Sequence, residues 1–113
     1  MLNKDEALQQ IQKEFDTASE AKKVGNDGKV RVCARRAAGI AITIWLRTNS
    51  RAGWGTNAMS QLQCLALDPT MPPEVCEAAM RLTAKITSQF TSPFSTHPID
   101  DSKIIIKHLM EQK

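Results

Sequence analysis

The chain has 113 residues, a formal net charge of +3, 42% apolar and 24% charged residues. That suffices for one hydrophobic core and is too apolar for a disordered chain. Aromatic residues are only 4% and tyrosine is absent, which argues against an all-β sandwich.

The longest apolar stretch, Ala37–Leu46, is far short of the ~20 residues of a membrane span. Residues 1–16 are polar and amphipathic, without the apolar segment of a secretory signal. A cytoplasmic protein with no membrane partner is expected. Cys33, Cys64 and Cys76 are odd in number, have no paired spacing, and each lies on or near the apolar side of a helical pattern. They read as reduced, buried thiols. No metal and no cofactor are expected.

The first helix is predicted over Asp5–Val24, where Leu8, Ile11, Phe15 and Ala18 recur at steps of three and four. Asn3 and Glu6 have the spacing of a capping box. Gly25 suits the left-handed position that ends the helix, and Asp27 is expected to cap the next one. The second helix is predicted over Gly28–Thr48. Val30, Cys33, Ala34, Ala37, Ala38, Ala41, Ile44 and Trp45 share one arc, and Ile42, Leu46 and Gly39 lie on the other side. A helix apolar nearly all round is buried on two sides. Gly39 in mid-helix costs about 1 kcal/mol against alanine, and close helix approach is the usual compensation. Gly39, Ile42 and Leu46 are therefore the expected dimer face.

Asn49–Thr56 reads as a loop. Trp54, between Gly53 and Gly55, is either an anchor folded back on the core or an exposed contact, the anchor being favoured. The third helix is predicted over Asn57–Leu67, stopped by Asp68 and Pro69. Pro72 and Pro73 open the fourth, with Val75, Ala79, Leu82 and Ile86 as its stripe. Ser88–Ile99 is a Ser/Thr/Pro-rich loop holding His97. The last helix starts near Asp100 as N-cap and carries Ile104, Ile105, His108 and Leu109. The fold class is all-α, an up-and-down bundle of four to five helices filling residues 1–113 as a single domain.

Gly25-Asn26 followed by Val30, Ala34, Ala37-Ala38, Ala41 and Leu46 resembles the opening of the HEPN family. Leu62, Leu65, Leu67, Met71-Pro72-Pro73-Glu74-Val75 and Leu82-Thr83 resemble its third and fourth helices. The resemblance covers about residues 5–111 and implies a HEPN-like bundle. Active members of that family are RNases carrying arginine, four to six residues, then histidine near the last helix. Neither His97 nor His108 has an arginine at that distance, the nearest upstream being Arg81. The resemblance therefore implies a degenerate member without that RNase site.

Eight basic residues and one acid lie between Lys22 and Arg51, so this window carries +7 and the rest of the chain −4. Arg31 and Arg35 are one turn apart, with Lys29 and Arg36 bordering the same polar face. These four form a candidate surface for a phosphate, a nucleotide or an RNA backbone. The competing reading pairs the arginines with Glu14, Asp16 and Glu20 of the first helix, or with acids of a second subunit. Their stems would then cover apolar surface.

Together these features predict a non-catalytic, HEPN-like homodimer that binds a partner protein, or a nucleotide or phosphate ligand, through its second helix. The protein partner implied by the resemblance is of the nucleotidyltransferase type. The alternative is a divergent RNase or toxin-like partner of a minimal nucleotidyltransferase, with no catalytic residue assigned.

Overall fold

In the computed structural model, which describes residues 3–84 and 97–111, an asparagine opens each of the first three helices. Asn3 caps α1 (Lys4–Lys23) by accepting from the Glu6 N–H at 2.8 Å. Asn26 caps α2 (Asp27–Leu46) through the Lys29 N–H at 3.1 Å. Asn57 caps α3 (Ala58–Ala66) through the Ser60 N–H at 2.8 Å. Each amide oxygen satisfies one of the donors that a helix start leaves without a partner. The expected cap at Asp27 is thus corrected by one residue: Asn26 caps, and Asp27 stands in the first turn, where its charge favours the positive end of the helix. Between α1 and α2 the chain turns at Gly25, whose φ of 73° is the left-handed conformation expected there.

Proline sets the start of the other two helices. α4 (Pro73–Thr83) follows Pro72 without a side-chain cap, and α5 (Pro98–Met110) is capped by His97, whose Nδ1 accepts from the Ile99 N–H at 3.1 Å. Asp100 is therefore not the N-cap. Proline fits the first turn because it has no N–H to lose, so α5 begins at Pro98 and gathers Asp100 and Asp101 into that turn. No strand is present among the described residues. Ile86 and residues 88–96 of the expected loop lie outside them.

α2 is the hub of the bundle and packs against α1, α3, α4 and α5. The reason is legible in its side chains. Ala34, Ala37, Ala38 and Ala41 are wholly buried, and their small volume lets neighbouring helices approach from several directions. Ile42 adds bulk on the same helix, while Leu62 and Leu65 of α3, Leu82 of α4 and Ile105 of α5 complete a core drawn from all five helices with Ala7 and Ile11 of α1. α5 is fastened by polar bonds too. The buried Ser102 Oγ donates to the Ala34 carbonyl at 2.8 Å, and Arg81 of α4 pairs with the buried Asp101 at 2.9 Å.

The loop after α2 folds back as expected for an anchored tryptophan. Trp54 is buried, and its ring lies 5.6 Å from that of Trp45. The Arg51 guanidinium sits 5.1 Å from the centre of the Trp45 ring and pairs with Asp68 at 3.2 Å, which ties the loop to the α3–α4 connection. Asp68 also accepts from the Thr70 N–H at 2.8 Å and hydroxyl at 2.6 Å. Burial alone would push the Asp68 carboxyl up, but the bonds from Thr70 and Arg51 outweigh it and hold the carboxyl below its ordinary value. A depressed carboxyl stabilises the fold above its unfolded pKa, and the benefit disappears as pH falls through the folded one. Asp68→Asn is accordingly expected to cost about 1–3 kcal/mol at neutral pH. Denaturation series should show this deficit shrinking once pH drops below about 4; a deficit independent of pH would contradict the assignment.

Candidate functional site

The four basic residues expected to form one surface are divided by the fold. Arg31 is only 6% exposed. Its terminal nitrogen donates to the Arg81 carbonyl and, at 3.2 Å, to the Ala84 carbonyl. Arg35 lies one turn along, and its Nε donates to the Leu82 carbonyl at 2.6 Å. Both guanidinium groups thus serve the C-terminal end of α4, where carbonyls are short of i+4 donors, that of Arg81 accepting, among the described residues of its own turn, only from the Ala84 N–H, and the helix dipole is negative. Burial lowers the pKa of both; the nearby charge of Asp101 opposes this at Arg31, while that of Arg31 adds to it at Arg35. Arg31 is withdrawn from the candidate phosphate surface because its polar edge faces carbonyl oxygens inside the protein.

The acids of α1 do not take up these two arginines, as the pairing alternative had it. Glu20 pairs with Lys23 at 3.2 Å, and Asp16 accepts from Gln12 at 2.9 Å. Lys29 and Arg36 remain exposed. They lie seven residues apart, on the outward face of α2.

The expected dimer face is likewise redistributed. Ile42 is wholly buried within the chain. Gly39 is also buried, and a Cβ placed on it would stand 2.9 Å from the Ala58 Cβ and 3.3 Å from the Ala58 Cα. The close approach anticipated at this glycine is therefore real, but its partner is α3 of the same chain. Ile42 thus has no exposed surface, whereas Gly39, though buried, lines the groove beside it. Leu46 remains half-buried at the surface.

Beside that contact runs a groove of about 750 Å³ along the outer face of α2. Ile40, Ile44 and Leu46 supply its apolar walls, with Ala58 of α3 opposite. Arg36 stands toward one end of the α2 stretch and Arg47 at the other, while Glu14 of α1 lies on the rim. Gln61, buried to 3% exposure, is held by two donations from its Nε2, to Thr43 Oγ1 at 3.2 Å and to the Gly55 carbonyl at 3.4 Å. The carbonyl can only accept, so these bonds fix which end of the amide is which. Thr43 in turn donates to the Gly39 carbonyl at 2.9 Å. The groove offers an apolar bed, one fixed amide and charged ends.

The three cysteines and His97 do not line this groove. Burial and the neighbouring Glu14 push the Cys33 thiol up, away from the reactive thiolate. Cys33 is buried, Cys64 and Cys76 are half-buried, and all three are free thiols. His97 is occupied as the cap of α5, and Arg81, the nearest arginine before it in sequence, is paired with Asp101. Among the described residues no group of three or more His, Cys, Asp or Glu side chains is placed to hold a metal ion, and no helix is long and apolar enough to cross a membrane.

Sequence reasoning missed Gln61 and the capping role of the arginines. A glutamine within a short apolar helix was the available signal for the first. For the second, it was the lack of a glycine after Thr83, which leaves the end of α4 in need of outside donors. Comparison of the chain with protein-family models, curated proteins and solved structures finds no match.

Proposed function

We propose that this protein is a non-catalytic, HEPN-like helical module that recognises a partner protein through the outward face of α2. The observation carrying this reading is the apolar groove between α2 and α3, bordered by Arg36, Arg47 and Glu14. Arg31 is buried against carbonyls at the end of α4 and the half-buried Arg35 gives its Nε to another, so of the four only Lys29 and Arg36 stand exposed. This favours the protein-partner limb of the reading over a nucleotide or RNA ligand, for which converging guanidinium groups are the usual means of holding phosphate.

A photo-crosslinking residue placed at the exposed Thr43, and in a control at the exposed Glu77 of α4, tests the reading in cells of the source. The Thr43 position is expected to yield a discrete adduct with another protein, absent from the control and lost when Ile44→Asp is added. Saturable binding of ATP or a short RNA that disappears with Arg36→Ala would replace this reading with the phosphate one. RNA cleavage abolished by His97→Ala would replace it with the RNase alternative.

A further inference from the structure

Resting on that reading, we propose that the groove accepts a three-turn amphipathic helix of the partner, with acidic residues flanking its apolar anchors. The length follows from α2 itself. Arg36 and Arg47 are eleven residues apart, or about 16 Å along the helix at 1.5 Å per residue. Three helical turns span the same distance and present anchors at i, i+4 and i+7, the spacing by which helices sit in apolar grooves.

The charge of the occupant follows from the outward arc. Lys29, Arg36 and Arg47 lie on it, while Glu14 is the acid that reaches the groove rim from α1. Arg47 already has a partner within the fold, yet its charge still marks that end. A surface with basic ends around an apolar centre steers and orients an acidic segment and disfavours a basic one. It also disfavours a symmetric pairing with a second copy, in which the same face would bring the same excess of positive charge.

Gln61 adds specificity at the centre. Its Nε2 is used twice, and among the described residues nothing donates to its Oε1. That oxygen lies on the Gly39 side, 3.4 Å from where a Cβ would stand, and both residues line the groove. A side chain with an N–H or O–H on the partner's apolar face would complete it. Because Gly39 carries no Cβ, the groove stays open to that approach.

A display library of three-turn helices, randomised at anchor and end positions, supplies the probe. Selection on the intact protein is expected to enrich aliphatic anchors at i, i+4 and i+7 with Asp or Glu at the ends. The winning peptide should bind at least about tenfold more tightly than its twin with lysine at the ends, a difference of about 1.4 kcal/mol. Its amide-resonance shifts should centre on Ile40, Thr43 and Gln61, and Arg36→Glu should narrow or reverse the preference between the twins. Equal affinity for the twins, enrichment of basic ends, no enrichment, or shifts centred on another face would each overturn the proposal. So would a dimer in sedimentation that Ile40→Asp dissolves, since the occupant would then be a second copy. If the peptides fail while the Thr43 adduct persists, the helical occupant is wrong and the broader reading stands; loss of the adduct removes both.

Discussion

Arg31→Ala is expected to destabilise the protein by about 2–4 kcal/mol, the largest effect of any polar substitution considered. The guanidinium supplies charge-assisted bonds to the Arg81 and Ala84 carbonyls, each of a kind worth roughly 1.5–3 kcal/mol. Set against this is the cost of burying the group, visible in its lowered pKa and in an Nε that is buried without a hydrogen-bond partner among the described residues. Removal still loses on balance. The carbonyls stay at the end of α4, where among the described residues only that of Arg81 has a second donor, the Ala84 N–H, and the alanine leaves the space of a buried side chain unfilled. Arg31→Lys should recover only part of the loss, because the shorter lysine stem does not carry its ammonium to the place where one terminal nitrogen of Arg31 meets both carbonyls. Urea denaturation of both variants measures this, and a loss under about 0.5 kcal/mol for the alanine variant would show that the capping bonds contribute little.

Gly39→Leu is expected to cost at least about 3 kcal/mol and can prevent folding altogether. Even Gly39→Ala should destabilise, by about 1–2 kcal/mol, although alanine is the better helix former by about 1 kcal/mol. The added Cβ meets the Ala58 Cβ at 2.9 Å and the Ala58 Cα at 3.3 Å. Neither is the end of a flexible chain that can swing away, so α3 must shift. The double variant Gly39→Ala with Ala58→Gly separates this explanation from a simple backbone effect. Relief of contact makes the pair more stable than the sum of the two single losses, a coupling of about 1 kcal/mol. Strict additivity would rule the contact out as the cause. Since Gly39 packs inside the monomer, sedimentation of the soluble variants should not differ from that of the parent.

The helices were readable because their signals are local. A 3.6-residue apolar period, Asn3 before the first helix and Pro72 before the fourth lie within a few residues of what they control, and the caps expected at Asp27 and Asp100 were misplaced by only one and three residues. The site was only half readable for the converse reason. Arg31 and Arg35 were correctly seen as neighbours on α2, yet their partners are carbonyls some fifty positions later, and the missing glycine after Thr83 tells that donors are needed without telling which side chains supply them. Gly39 carried a correct physical message, that something must come close, without naming which chain or helix would do so. The +7 window, conspicuous along the sequence, is divided in space: Arg31 and Arg35 cap α4, Arg51 holds Asp68, Lys23 pairs with Glu20, and Lys29 and Arg36 stay in solvent.

The tryptophan pair has a bearing on how this molecule can be watched. The chain contains two tryptophans and no tyrosine, and the two rings are 5.6 Å apart. Nearly all its ultraviolet emission therefore originates from one packed couple, half supplied by α2 and half by the loop that follows it. That loop leads directly to Gly55, whose carbonyl holds Gln61 in the groove. A separation of the rings would alter the light the protein emits without any attached dye, so the native chain carries an optical gauge of whether the loop beside its groove is docked.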